Sequence, residues 1–391
     1  MKSLGSLGGC KSWNPKAIIV NGENLLIYCP RFLLPALHIK MVLEKPTRSK
    51  RLEKLPTSLY DSFQGMITRI RESPNASCAE LGIRILMWLY FARRPLTLAE
   101  LQHALAVEKN HPEFEAGNIP SPNVLLDCCL GLVLLDKEMK VRFVHYTLEE
   151  YLGEYARTEF PTGCSSIAET CLIYLNFGEL RQYCTSLESL EEKMKKYALL
   201  KYAALYWGTY IKQQSNDSLT KLAHIILDHD SERPPCAIQA LYLGLDKNNG
   251  LAQKFSGIHA AAYFGLTAYL HKVKNLINLR DESGRTPLSW AAEYGHESIV
   301  QMLIEREDID INSKDESGRT SLMCAASSGH EEIVRLLIDR GDIDINAKDE
   351  SGCTSLMCAA SSGHEAIVRL LTKMILISML RMRMGVHPSC V

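Results

Sequence analysis

Apolar positions at helical spacing recur along most of the chain. Leu59, Phe63, Met66, Ile67 and Ile70 form a stripe with steps of three and four, which predicts an amphipathic helix ending near Ser73-Pro74. A second stripe runs through Leu81, Ile83, Ile85, Leu86 and Leu89 to Arg93-Arg94-Pro95. A third helix carries Leu98, Leu101 and Leu105 behind a capping box, in which Thr97 and Glu100 satisfy each other's backbone donors. Pro122 to Cys129 reads as a fourth helix. The runs 132–135 and 141–145, on either side of Asp136-Lys-Glu, read as a hairpin, and Tyr146 to Leu152 returns to helix. Helices closed by a two-stranded hairpin give a winged-helix outline. Tyr197, Leu199, Leu200, Tyr202 and Trp207, then Leu219, Leu222, Ile225 and Leu227, mark two helices of a spacer. The first 54 residues are the least patterned. There Asn21-Gly22 between two short apolar runs suggests a hairpin, and Pro30 and Pro35 interrupt the stretch after it.

Beyond residue 256 the pattern repeats itself. Asp281-Glu-Ser-Gly-Arg-Thr recurs at Asp315, and again at Asp349 with Cys353 in place of the arginine, a period of 34 residues. Each unit continues through a Leu, an Ala-Ala pair, Gly-His and Ile-Val, which is two short helices broken by a glycine. Units of this kind cannot bury their apolar faces alone and must stack. The pattern resembles the ankyrin repeat: Thr286-Pro287-Leu288 opens the first helix, Ala291-Ala292 is its tight packing face, and Gly295-His296 lies in the turn. An earlier unit, Ile258-His259 to Gly265, matches with a shorter spacing and reads as a degenerate first repeat. Pro287 becomes Ser321 and Ser355 in later units, which predicts a marginal array, because proline at a compatible site stabilises by up to about 1 kcal/mol.

A second resemblance spans about residues 32 to 215. Leu-Pro-Thr-Ser-Leu-Tyr at 55–60, Ala92-Arg-Arg-Pro-Leu-Thr97, Leu101-Gln-His-Ala-Leu-Ala-Val107 and Val144-His-Tyr-Thr147 are similar to the winged-helix module of fungal NACHT-ankyrin proteins. Tyr202-Ala-Ala-x-x-Trp207 is similar to the helical spacer that comes after it. That module carries a name borrowed from a GPI inositol-deacylase. No lipid hydrolysis is expected, since the sequence has no Gly-x-Ser-x-Gly elbow. In such proteins a nucleotide-binding switch domain precedes the winged helix by some two hundred residues. With about fifty before it here, the resemblance implies the output half of a signal-transducing receptor without its nucleotide-binding domain.

Composition adds little bias. Of 391 residues 46% are hydrophobic and 23% charged, and the net charge of −1 gives no bulk argument for nucleic acid or an anionic membrane. Thirteen cysteines are scattered without a Cys-x-x-Cys, so neither a disulfide framework nor a zinc site is expected, and a reducing, cytoplasmic location fits. No apolar run reaches the roughly 18 residues of a membrane span.

The candidate chemistries are weak beside the structural patterns. Gly5-Ser-Leu-Gly-Gly-Cys-Lys11-Ser12 would be a phosphate loop if Cys10 were glycine, but it lacks room for the preceding strand and following helix. His145 could serve as a nucleotide sensor, against the reading of a core or capping histidine. The last helix before the wing has no Lys or Arg to read DNA. Asp308-x-Asp310-x-Asn312 looks like the start of a calcium loop, yet Ser313 stands where glycine is needed. No catalytic residue, cofactor or metal is therefore expected, and the chain is read as non-enzymatic.

Ankyrin arrays bind proteins through their hairpin tips and outward first-helix positions. Carried onto this sequence, the resemblance assigns Glu282, Ser283, Arg285, Glu293 and Tyr294; then Glu316, Ser317, Arg319, Ser327 and Ser328; then Glu350, Ser351, Cys353, Ser361 and Ser362. Tyr294 and Arg285 are the expected anchors, because hot spots favour aromatics and arginine.

The tail departs from the repeat after Leu371. A further unit, Asp-Ile-Asp-Ile-Asn-Ala-Lys-Asp-Glu-Asp-Gly-Cys-Thr-Pro, read one base later with suitable codons, becomes Ile375 to Pro388 residue for residue. The expected organisation is mainly α: a poorly defined remnant (1–54), a winged-helix domain (55–157), a helical spacer (158–255), one degenerate and three full ankyrin repeats (256–372), and an out-of-frame, disordered tail (373–391). The expected function is a scaffold binding a protein partner, with no nucleic acid and no membrane. The alternatives are a nucleotide-regulated ATPase with a degenerate phosphate loop and a winged-helix transcription regulator.

Overall fold

The computed structural model describes residues 59–109, 111–213, 216–228, 233–245, 250–270 and 276–383. The expectations for residues 1–54, including the phosphate-loop stretch, and for 384–391 lie outside the described residues. The fold is mainly α, and among the described residues the strands form one two-stranded sheet. Cα packing divides the chain into Met1–Leu98 with Pro120–Pro161, and Ala99–Ile119 with Thr162–Val391.

In the first unit α1 (Leu59–Arg71) buries Phe63, Met66, Ile67 and Ile70, the face set by its spacing. Full burial of one such side chain contributes about 1.5–3 kcal/mol. α2 (Ala76–Phe91) starts where the side chain of Asn75 accepts the Cys78 N–H at 3.3 Å, and it buries Gly82, Ile85, Leu86 and Trp88. Leucines 81 and 89 and Ile83, expected on that face, are only half-buried. α3 (Leu98–Leu105) comes next, and from Ala99 onward it packs with the second unit. α4 (Pro122–Cys128) is capped by Ser121 with Pro122 in its first turn. A Cβ on Gly82 would stand 2.6 Å from the Cys128 carbonyl oxygen, so α2 and α4 cross in close contact there.

That crossing corrects one expectation. Cys78 and Cys128 form a disulfide, their Cα atoms 5.3 Å apart and 50 residues separated in sequence. Spacing along the chain gave no sign of it, because the pairing is made by two helices meeting and not by a local motif.

The wing is β1 (Val133–Leu135) paired antiparallel with β2 (Val141–Phe143), in the register Val133↔Phe143, Leu134↔Arg142 and Leu135↔Val141. Asp136 organises its turn: Oδ1 accepts the Glu138 and Lys140 N–H groups at 2.9 Å, and Oδ2 accepts Arg142 Nε at 2.5 Å. These bonds, Arg142 first, hold the Asp136 carboxyl below its usual range. α5 (Tyr146–Glu159) closes the unit.

The second unit begins with α6 (Gly163–Leu175), α7 (Gly178–Arg181), α8 (Leu187–Lys196), α9 (Leu200–Gln213), α10 (Asp217–Leu227) and α11 (Cys236–Leu245). His103 of α3 is stacked on Phe114 and bonded to the Tyr174 hydroxyl at 2.8 Å. The helical hairpins come after these as α12 (Gly257–Phe264) with α13 (Thr267–Leu270), α14 (Pro287–Glu293) with α15 (Glu297–Ile304), α16 (Ser321–Ser328) with α17 (Glu331–Asp339), and α18 (Ser355–Ser361) with α19 (Glu365–Arg383).

The repeated residues explain the stacking. Thr286, Thr320 and Thr354 cap their helices by accepting the N–H of Ser289, Met323 and Met357 at 3.3 to 3.4 Å. Histidines 296, 330 and 364 bond through Nε2 to the carbonyl oxygens of Tyr263, Glu293 and Ser327 in the preceding hairpin, at 2.6, 2.9 and 3.1 Å. Each lies over Gly265, Gly295 or Gly329, where a Cβ would come within 2.8 Å of the ring. These glycines also have φ near +80°, a second reason for the residue type.

The tail is another correction. α19 continues through the point where the repeat pattern ends and stays helical to Arg383, whereas the sequence reading predicts disorder from residue 373. Met, Leu, Lys and Arg are good helix formers, and no glycine or proline intervenes before Gly385.

Candidate protein-binding face

One side chain organises each hairpin tip. In each repeat an aspartate at the turn accepts two backbone N–H groups with Oδ1: Asp281 from Ser283 and Arg285, Asp315 from Ser317 and Arg319, Asp349 from Ser351 and Cys353, at 2.7 to 3.0 Å. The tips are joined to each other, since Glu316 N–H donates to the Ser283 carbonyl (2.9 Å) and Glu350 N–H to the Ser317 carbonyl (3.0 Å). They form a continuous ribbon beside the first helices.

In the first full repeat the expected residues split into two groups. Glu282 is turned inward on the chain itself, accepting the N–H groups of Gln253, Lys254 and Phe255. Ser283 bonds to the Tyr242 hydroxyl at 3.2 Å. Arg285 is ion-paired with Glu293, its guanidinium lies 3.7 Å from the Trp290 ring centroid, and its side chain is only 16% exposed. Arg285 is thus a clamp within the repeat. Tyr294 is 40% exposed, stacked parallel to Trp290 and edge-on to Tyr263. Burial raises the pKa of both tyrosines, to about 12 for Tyr263.

Further along, aromatic surface gives way to small polar groups. Arg319 donates to Ser327 Oγ at 3.0 Å, so the pair matches Arg285–Glu293 without its charge. Ser327 and Ser328 are half-buried, and Glu316 and Ser317 exposed. In the last repeat Glu350, Ser351, Ser361 and Ser362 are exposed and Cys353 half-buried. The face therefore runs from Tyr263 and Tyr294 at one end to a serine-rich end at the other. Tyr263 was missed in the sequence, though its signal was available: it occupies the position of Glu293 in the degenerate repeat.

Other candidates resolve into structure. His145 caps α5, its Nδ1 accepting the Thr147 N–H at 3.2 Å, and burial lowers its pKa. Asn312, the third residue of the calcium-like spacing, accepts the Asp344 N–H and donates to the Asp342 carbonyl, both at 2.8 Å, so it links two repeats. Asn278 does the same to Asp310 and Asp308 one repeat earlier. Among the described residues no group of three or more His, Cys, Asp and Glu side chains is placed to hold a metal ion. No described helix is long and apolar enough to cross a membrane.

Comparison with known proteins agrees with the architecture. Residues 230–315 and 307–378 match the model of ankyrin repeats, in three copies, and residues 73–161 match that of the GPI inositol-deacylase winged helix domain. The chain is 26% identical over 298 residues to the azaphilone pigments biosynthesis cluster protein L of Monascus ruber. That alignment covers 65% of this chain and 60% of the relative, so the chain spans about 60% of that protein's length.

Proposed function

We propose that the chain is a non-catalytic scaffold whose ankyrin repeats bind a protein partner. The observation carrying this reading is the exposed Tyr294 beside Tyr263, a rigid aromatic step at one end of a ribbon of accessible tips. Rigid aromatics contribute large contact area at low entropic cost, and interface hot spots are enriched in them. The order of winged helix, helical spacer and repeats supports descent from a NACHT-type signal-transducing receptor.

Two readings compete. A nucleotide-regulated ATPase would rest on Lys11, and equilibrium ATP binding with Lys11→Ala tests it. Micromolar affinity abolished by the substitution would establish that class instead. A transcription regulator would read DNA with α4, whose exposed residues Asn123, Val124 and Asp127 include no cation. The scaffold reading is tested by proximity labelling of the full chain in cells against Tyr294→Ala. A set of labelled proteins lost with Tyr294→Ala while the chain remains folded supports it, and an unchanged set overturns it.

A further inference from the structure

The winged-helix unit carries an exposed aromatic group of its own, separate from the ankyrin face. On α5, Tyr151 and Tyr155 are four residues apart and so share one side of the helix, their rings stacked at 4.8 Å with 27° between the planes. Tyr60 of α1 meets Tyr151 from the neighbouring helix, with ring centroids 5.7 Å apart. Tyr151 is 3% exposed and packs on Phe63 of the core at 5.9 Å, so it fixes the positions of the other two. Those two are open to solvent: Tyr60 is 44% and Tyr155 39% exposed. The Tyr151 hydroxyl, although its ring is buried, has no hydrogen-bond partner among the described residues.

Charge around these rings has one sign. Asp61 follows Tyr60 in the first turn of α1, Glu154 precedes Tyr155, and both are exposed. Glu150, one turn back from Glu154 on the same side of α5, is exposed as well. In keeping with this, the charge of Glu154, with Asp61 among the smaller contributions, raises the pKa of the Tyr155 hydroxyl. The cations of the two helices lie elsewhere. Arg69 and Arg71 are in the last turn of α1, and Arg71 is ion-paired with Glu159 at 2.5 Å. Arg157 is two residues beyond Tyr155, about 200° round the helix from it.

We propose that Tyr60, Asp61, Glu154 and Tyr155 form a second docking site, which takes an arginine-rich segment of a partner protein. A tyrosine face attracts a cation within about 6 Å of its centroid, and a guanidinium adds planar stacking and paired donors that match a carboxylate. One such group can lie on an exposed ring while bonding to the carboxylate of the adjacent residue, Asp61 beside Tyr60 or Glu154 beside Tyr155. The same carboxylates repel nucleic acid and anionic lipid, which leaves a cationic peptide as the occupant. Because Tyr151 holds the two rings in place, little side-chain freedom is lost on binding. The site lies wholly within the winged-helix unit, so it stands whether or not the ankyrin face binds a protein.

The test titrates the full chain into a fluorescein-labelled Gly-Arg-Gly-Arg-Gly-Arg-Gly peptide, read by anisotropy, with the lysine version as comparison. The arginine peptide should bind about three- to fivefold more tightly than the lysine one. Tyr155→Leu and Glu154→Gln should each weaken it by a similar factor. Glu149→Gln, the same charge change on another side of α5, should leave it unchanged. Equal binding of the two peptides, or equal losses in Glu154→Gln and Glu149→Gln, overturns the proposal, since bulk charge then explains the binding. The sequence also has a basic run of its own from Lys45 to Lys54. Binding seen only when Arg48→Glu, Lys50→Glu and Arg51→Glu are combined assigns the face to that run and overturns an external partner, as does no binding in either form.

Discussion

His259 is the most deeply buried histidine of the repeats. It is fully buried, its Nδ1 accepting the Ser256 N–H at 3.1 Å and its Nε2–H donating to the Leu279 carbonyl at 3.0 Å. Burial lowers its pKa to about 4. Because the folded state disfavours the charged form, this histidine costs no stability above the unfolded pKa of about 6.5. As pH falls below that value the unfolded chain takes up a proton first, and stability declines until about pH 4, by about 3 kcal/mol in all. Tm measured from pH 7 to 4 should fall more steeply for the native chain than for His259→Asn. Equal slopes would show that carboxylates alone govern the loss. At Ser321 and Ser355 the sequence already indicated a weakness, and the structure gives its cause. Each is buried at the first position of its helix with a hydroxyl that has no partner, where Pro287 stands in the first full repeat. Ser321→Pro and Ser355→Pro should each raise stability by about 0.5–1 kcal/mol in urea titrations. His259 was legible as part of the degenerate repeat, but its depth was not, since its bond to the Leu279 carbonyl reaches 20 residues along the chain.

Helices α1 to α4 were legible from apolar spacing, though the caps Asn75 and Ser121 were not read and Leu81, Ile83 and Leu89 of α2 are only half-buried. The Cys78–Cys128 link, by contrast, depends on how α2 crosses α4. Closing a loop of 50 residues stabilises by up to about 4 kcal/mol in the chain-entropy treatment. Reduction, or the double substitution of both cysteines by alanine, should lower the urea midpoint of this unit, measured by Trp88 fluorescence; no change on reduction would mean the link adds nothing to stability. The repeat junctions allow a separate test. In Gly329→Ala the new Cβ would stand 2.6 Å from the His364 ring at a backbone φ of +82°, so the ring must leave its bond to the Ser327 carbonyl. A loss of about 1–2 kcal/mol, combining the left-handed backbone and the lost bond, is expected. Hydrogen exchange should report it first in α18 and α19. The helical tail eludes a motif-based reading for a simple reason: loss of the repeat motif is not loss of structure, and helix propensity persists through Met374 to Arg383.

For the molecule as a whole, the repeats are not equally supported. Met323 is fully buried beneath the following hairpin, while its counterpart Met357 is 56% exposed, and Leu376, Met379 and Leu380 on α19 are each more than half exposed. Stability in such arrays is close to a sum of unit and junction contributions. On heating, α16 to α19 should therefore lose hydrogen-exchange protection before α1, α2, α4 and α5, and uniform protection across both groups would sink this expectation. The proposed binding face has a similar gradient, from tyrosine to serine; Tyr294 and the serine end were read from the sequence, and Tyr263 beside it was not. The histidine at each junction has a genetic consequence. Since every 34-residue unit carries both the glycine that receives the next imidazole and the imidazole that reaches back, an extra unit copied in frame arrives with both halves of its connector. Array length can then drift by whole units through unequal recombination, each step adding or removing serine-rich display surface without a new interface having to evolve. Under the proposed function, recognition is adjustable by copy number.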